Sequence, residues 1–280
     1  MRRSKEELIE LRQTLYDIAE QLRPMTIRSL FYRAVSAGAV EKTEREYKRI
    51  VRITGQMRKE RVMPFDWLVD AGRFARRANC WSHPKNILTA TMRQYRRNYW
   101  QDQPLQMEIW TEKDAVVGVI ESVTNEHQVA LYSCRGYPSL SMIHDAVTSW
   151  QANKDIIIRY FGDRDPSGAD IPRYIQEAIA DINDPDYNIG VDFQVAAVSE
   201  DQIDEYNLPT RPTKGTDSRS ARFDGESVEL DAFSPDDLRE LVADSIQEHI
   251  DYSIWNETSG QEIQDRAILQ EACDMVEEKL

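Results

Sequence analysis

Three carboxylates are the residues best spaced for chemistry. Asp163 and Asp165 stand in the run Phe161-Gly162-Asp163-Arg164-Asp165-Pro166-Ser167-Gly168, after a strand-like apolar stretch at 155–160 and before a helical one. A spacing of two in an extended segment aims both carboxylates to the same side. Like charges held that close favour a hard divalent cation with oxygen ligands, usually Mg2+. Glu112 takes the matching place in Trp110-Thr111-Glu112-Lys113-Asp114, beyond a strand-like run at 105–110. Ligands in α/β sheets bind outside the carboxyl ends of strands, so neighbouring parallel strands would carry all three acids to one rim. Two plainer readings compete. Asp-x-Asp-x-Ser-Gly imitates the start of an EF-hand loop, but its twelfth position is Tyr174 where a bidentate Glu is needed. Asp-Pro-Ser-Gly is also an ordinary turn in which Asp caps the next helix, which explains Asp165 and leaves Asp163 and Glu112 unused.

Strands alternating with helices must position these acids. Apolar runs at 105–110, 129–134, 156–161 and 191–198 are separated by helical stretches at 115–122, 140–150 and 169–182. That alternation implies βαβ units and a mainly parallel sheet. Residues 207–227, rich in Pro, Thr, Ser and Gly, read as a loop carrying Arg211, Lys214, Arg219 and Arg222. Helices at 235–252 and 261–278 follow.

The first hundred residues read as helical. Ser4-Lys5-Glu6-Glu7 is a capping box before Leu8, Leu11, Leu15, Ile18 and Leu22. Pro24 stops that helix; Thr26 caps a second, which ends at Gly38. Thr43-Glu44-Arg45-Glu46 opens a third, bearing Arg45, Lys48, Arg49, Arg52, Arg58 and Lys59 around an apolar side of Tyr47, Ile50, Val51 and Met57. With a strand expected at 65–69, the pattern suggests a winged helix-turn-helix, although a basic helix on another small bundle would look similar. The stretch Arg93-Gln94-Tyr95-Arg96-Arg97-Asn98-Tyr99-Trp100 reads either as a surface that touches phosphates and stacks bases or as a linker packed by its aromatics.

Charge divides the 280-residue chain. Residues 1–100 hold 22 Lys and Arg against 11 Asp and Glu, whereas residues 101–280 hold 13 against 38. The split suggests a basic module meeting a polyanion and an acidic one meeting a cation, with the boundary at 98–104. Two solvated faces of opposite sign are the bland alternative. No apolar run approaches the ~20 residues of a bilayer span, and no signal-peptide pattern opens the chain. The three cysteines, Cys80, Cys134 and Cys273, give no disulfide framework, which points to a reducing cytoplasm. Cys80 and His83 have metal-like spacing, but no second pair completes a zinc site. His144 and His249 read as surface or packing residues.

Glu112 followed by Asp163-x-Asp165 resembles the signature of the Toprim domain. Four further segments narrow the resemblance: Thr26-Ile27-Arg28-Ser29-Leu30-Phe31-Tyr32, the continuation Lys113-Asp114-Ala115-Val116, Gly136-Tyr137-Pro138 and Glu229-Leu230-Asp231-Ala232. In this order, across residues 24–235, they resemble the A subunit of type IIB topoisomerases (topoisomerase VI) and the related meiotic double-strand-break transesterases. The resemblance implies an α+β two-domain chain: a winged helix-turn-helix DNA-binding domain at 1–100 carrying the tyrosine, and a Toprim α/β domain at 101–280 with a mainly parallel sheet. It implies Tyr32 as the nucleophile, Arg28 beside it, and Mg2+ on Glu112, Asp163 and Asp165. It further implies double-stranded DNA as substrate, with Arg45, Lys48, Arg49 and Arg52 as contacts, and a homodimer in which each tyrosine meets the sister subunit's metal site. A separate ATPase (B-type) subunit would be needed for strand passage, because no Walker A pattern occurs here. The family's N-terminal extension toward that subunit is expected to be missing, and residues 41–80 match the better-known members poorly. The expected setting is cytoplasmic and nucleoid-associated.

The residue-level physics of Tyr32 agrees. Ile27, Leu30, Phe31, Ala34 and Val35 make one face of the second helix; Tyr32 falls off it, one turn from Arg28, and is expected to project its hydroxyl outward. A phenol titrates near ~10 and needs a base, metal or cation to become a nucleophile at neutral pH. A half-buried tyrosine at a helix edge is the ordinary alternative. A hydrolytic Mg2+-dependent Toprim nuclease and a non-catalytic DNA-binding module remain the competing functions.

Overall fold

The structure, a computed structural model, describes residues 4–69, 80–183, 186, 188–212 and 226–277. Lys214, Arg219 and Arg222 lie outside the described residues. The chain is mixed α/β around a four-stranded, all-parallel sheet.

Helices α1 (Lys5–Leu22), α2 (Ile27–Ser36) and α3 (Glu44–Lys59) come first. Each begins where a hydroxyl cap was read: Ser4, Thr26 and Thr43 accept from the backbone N–H groups of Glu7, Ser29 and Glu46. They close a core of Leu11, Leu15, Leu30, Phe31, Ile50 and Met57. The strand expected at 65–69 is instead a 3-10 turn, Phe65–Trp67, followed by one parallel bridge between Leu68 and Met25. The turn drops Trp67 into the core, where it meets Tyr16 with ring centroids 5.1 Å apart. Packing an indole inward outweighs the extended preference of this short segment.

After α4 (Pro84–Gln94), the sheet runs β1 (Gln106–Thr111), β2 (Ala130–Ser133), β3 (Ile156–Phe161) and β4 (Val191–Ala197), in the order β2-β1-β3-β4. Helices α5 (Asp114–Glu126), α6 (Leu140–Ser149), α7 (Pro166–Ile182), α8 (Glu200–Glu205), α9 (Pro235–Gln247) and α10 (Tyr252–Glu277) surround it. Every residue of β1 and β3 is buried, as expected of parallel strands covered on both faces. Alternation sorts them. Met107, Ile109, Ile157 and Phe161 pack with α5 and α9, while Trp110, Ile156, Ile158 and Tyr160 pack with α6 and α7. The last helix begins at Tyr252 rather than at 261, with Asp251 accepting from the Ser253 N–H.

The basic-aromatic stretch before β1 is used internally. Tyr95 donates to Asp265 at 2.6 Å, the Arg97 guanidinium pairs with Asp265, and the Arg97 backbone N–H donates to Glu262 at 2.9 Å. Trp100 enters the sheet core, and Tyr99 packs against Trp255 with ring centroids 4.5 Å apart and planes tilted by 51°. The packed-linker reading describes it.

Candidate functional site

The adjacency of β1 and β3 decides where the acids meet. Thr111 pairs with Phe161 in register, and the Glu112 N–H extends the ladder to the Phe161 carbonyl at 3.0 Å. Glu112 and Asp163 therefore leave neighbouring strands together, and the Asp163 N–H donates to Glu112 Oε2 at 3.0 Å. Gly168 allows the approach: a Cβ there would stand 1.9 Å from the Asp163 carbonyl oxygen and 3.4 Å from Glu112 Oε2.

Asp163 and Asp165 do not act as a matched pair. Asp163 Oδ1 faces the Lys113 ammonium at 2.9 Å and accepts the Leu230 N–H at 2.8 Å. Asp165 Oδ1 turns back to accept the Gly168 N–H at 2.8 Å, capping α7, and its Oδ2 lies 3.7 Å from Arg211. The turn reading accounts for Asp165 as a cap, while Glu112 and Asp163 retain the shared rim.

Lys113 is the organiser that sequence reasoning left without a role. Its ammonium reaches Asp163, Glu229 at 3.4 Å and Asp231 at 3.2 Å. Burial would lower its pKa, but those three carboxylates outweigh burial and raise it. Around it, Thr26 Oγ1 donates to Asp231 at 3.1 Å, and Arg33 donates to the Ala232 carbonyl. The 3-10 turn Leu230–Ala232 thus ties α2 to the rim of the sheet.

That tie reverses the expected orientation of Tyr32. The side chain is buried, with the residue 2% exposed, and its hydroxyl lies toward Glu229 of the same chain, close enough to feel its charge. Helical periodicity put Tyr32 off the apolar stripe of α2, but the 229–232 segment covers that side. Burial first, then Glu229, raises the phenol's pKa well above its ordinary value, partly offset by Arg28 and Lys113. Arg28 stands 3.5 Å from Glu229 and 4.7 Å over the Tyr47 ring. Lys42 lies 5.2 Å over the Tyr32 ring and donates to the carbonyls of Pro209 and Thr210. Burial would raise the Glu229 carboxyl, yet Lys113, Arg28 and Arg211 hold it below the usual range.

On α3, Arg45, Lys48 and Arg52 are exposed, and Lys48 lies 3.7 Å from Glu44. Arg49 departs from the expected outward row: it is turned onto Glu46, with both side chains largely buried. Elsewhere, His83 caps α4 through the Lys85 N–H, and His249 meets Arg159 at 2.8 Å.

Glu112 and Asp163 bring carboxylate oxygens, the donor type a hard cation takes, to one rim. Burial, then Asp163 and Asp165, push Glu112 up to about 7. Burial likewise raises Asp163, against the pull of Lys113 and the Leu230 N–H. The Tyr160 hydroxyl beside these acids is fully buried and has no hydrogen-bond partner among the described residues. Also among the described residues, no three His, Cys, Asp or Glu side chains form a ready-made metal cage. Cys134, pushed up to about 12 by burial and then Glu112, is a poor thiolate ligand.

The sequence contained a signal for Lys113, Glu229 and Asp231, which are charged residues placed inside the quoted motifs. It contained none for their mutual distances. No protein-family model matches this chain, and no curated protein matches it.

Proposed function

We propose that the protein is a DNA-cleaving transesterase, resembling the topoisomerase VI A subunit, in which Tyr32 is the nucleophile. Residues 1–100 would form the winged-helix DNA-binding part and residues 101–280 the Toprim part. What supports the reading is one cluster: the Tyr32 hydroxyl within electrostatic reach of Glu229, with Glu229 on Lys113 and Lys113 on Asp163, beside Glu112. A phenol and an acidic strand rim, drawn from distant parts of the sequence, share one ionic network.

In the reaction, Tyr32 Oη attacks a backbone phosphorus. The phenol gives up its proton as the Oη–P bond forms, the P–O3′ bond breaks, and the leaving oxygen takes up a proton, so that a 5′-phosphotyrosyl ester and a free 3′-hydroxyl result. The ester conserves the bond energy, so religation needs no nucleotide. Glu112 and Asp163, with Asp165 at the edge, would hold Mg2+, which as a Lewis acid stabilises charge on the phosphate. Arg28 provides a guanidinium fork for phosphate oxygens next to Oη. Arg45, Lys48 and Arg52 offer duplex contacts along α3. Two chains on two-fold symmetric DNA would cut both strands, and strand passage would call on a separate B-type ATPase subunit. A nucleoid-associated, cytoplasmic setting suits that substrate; no helix among the described residues is long and apolar enough to cross a membrane.

One observation favours a second reading. Tyr32 is buried and holds its proton tightly. A Mg2+-dependent hydrolytic nuclease would use the same acids and leave the phenol idle. Incubation with supercoiled plasmid and Mg2+ separates the two. The transesterase gives protein covalently joined to 5′ ends, and Tyr32→Phe abolishes the joint without loss of binding. Cleavage without attachment establishes the nuclease. Salt-sensitive binding with neither outcome leaves a non-catalytic DNA-binding module.

A further inference from the structure

Three cations from three separate segments converge on one carboxylate, and a fourth lies nearby. Glu229 Oε2 lies 3.4 Å from the Lys113 ammonium and 3.5 Å from the Arg28 guanidinium, while Oε1 lies 3.1 Å from Arg211. Lys42, seated over the Tyr32 ring, adds a fourth positive charge within electrostatic reach. Glu229 also lies beside the Tyr32 hydroxyl, close enough for their charges to interact. The carboxylate is deep, at 9% side-chain exposure, but Arg28 at 38% and Arg211 at 35% open the cage to solvent on one side.

A carboxylate and a phosphodiester look alike to such a cage. Each carries one negative charge shared by two terminal oxygens, and each accepts from guanidinium forks and ammonium groups. Lys113 is shared with Asp163 and Asp231, so the cage also borders the acidic rim. An anion held here lies against the Tyr32 hydroxyl on one side and the Glu112–Asp163 rim on the other. We infer that Glu229 is an internal placeholder for a DNA backbone phosphodiester: Arg28, Lys42, Lys113 and Arg211 form a phosphate-binding site, and an incoming phosphodiester displaces the carboxylate from Tyr32. The inference rests on the transesterase reading for the identity of its ligand. It explains why the tyrosine is covered in the unliganded chain, since the group covering it is the one the substrate replaces.

The test is binding of a short fluorescent duplex in EDTA, where no cutting occurs, by anisotropy across a salt series. Glu229→Gln keeps the shape but removes the competing charge. It is expected to bind about tenfold tighter, the order expected for one nearby charge under solvent screening. Arg211→Gln is expected to bind more weakly, with a salt slope shallower by about one. Glu121→Gln, an exposed acid on α5, controls for net charge and is expected to leave binding unchanged. Unchanged or weaker binding by folded Glu229→Gln overturns the placeholder, as does an Arg211→Gln variant with the wild-type slope. An unfolded Glu229→Gln also overturns it, because a placeholder is not required for folding. Covalent attachment is scored separately with Mg2+. A chain that never attaches to DNA, yet binds tighter as Glu229→Gln, keeps the phosphate site and loses the transesterase reading.

Discussion

Lys113 Nζ and Asp163 Oδ1 meet at 2.9 Å across the ends of β1 and β3, and this ion pair joins the sheet rim to the segment that covers Tyr32. Lys113 directly follows Glu112, so one short stretch supplies both an acid of the rim and the cation that restrains the acids around it.

Removing that cation leaves three carboxylates without their shared partner. Lys113→Met is expected to cost about 3 kcal/mol in urea unfolding, as for a buried pair broken from one side. A loss below about 1 kcal/mol would show that solvent already screens Asp163, Glu229 and Asp231.

Glu112 gives the protein a pH dependence. Its carboxyl rises from the ordinary 4.5 to about 7, with Asp163, Asp165, Lys113, Cys134 and Tyr160 facing it. A raised acid binds its proton more tightly when folded. Its stabilisation is therefore complete below about 4.5 and lost as pH rises through about 7. Without divalent cations, thermal stability is expected to fall over that window, by at most ~3 kcal/mol before solvent screening. Glu112→Gln is expected to flatten most of the fall, and under the proposed metal site added Mg2+ is expected to restore stability chiefly at the upper end. Equal pH profiles for wild type and variant would count against Glu112 as the source.

Gly168 is needed for space rather than for backbone freedom. A Cβ at 1.9 Å from the Asp163 carbonyl forces the rim apart, so Gly168→Ala is expected to lose a few kcal/mol of stability and, under the proposed function, the metal-dependent cutting. Gly55, inside α3 with nothing within 4 Å of its added Cβ, is the internal comparison. Gly55→Ala is expected to gain up to about 1 kcal/mol. Chemical denaturation of the two variants side by side checks both signs.

Glu108 is a buried acid held by two indoles. Trp110 and Trp150 donate their ring N–H groups to its two oxygens at 2.8 and 2.9 Å. Burial raises its pKa, against the effect of those donors. Glu108→Gln offers only one oxygen and sets an amide N–H2 against one indole, so a loss of about 2 kcal/mol is expected. A neutral outcome in urea unfolding would mean that one indole finds another acceptor.

Much of the scaffold was legible because local periodicity carries it. Ser4, Thr26 and Thr43 announced their helices, and largely apolar runs alternating with helical stretches marked β1 and β3 as strands of a parallel sheet. Since ligand sites gather at the carboxyl ends of parallel strands, Glu112 and Asp163 could be named as neighbours before any coordinates. The segment at 65–69 was misread because its extended pattern is too short to prevail over burial of Trp67.

The sequence by itself determined most of the helices and the four strands, and which acids end neighbouring strands, because those properties repeat within a few residues along the backbone. Only the tertiary structure decided that Tyr32 turns inward, that Asp165 caps a helix, and that Lys113, Arg28 and Arg211 gather on Glu229. Those contacts join segments far apart in the chain. Coulomb attraction and burial act on distance in space, which periodicity along a sequence does not encode.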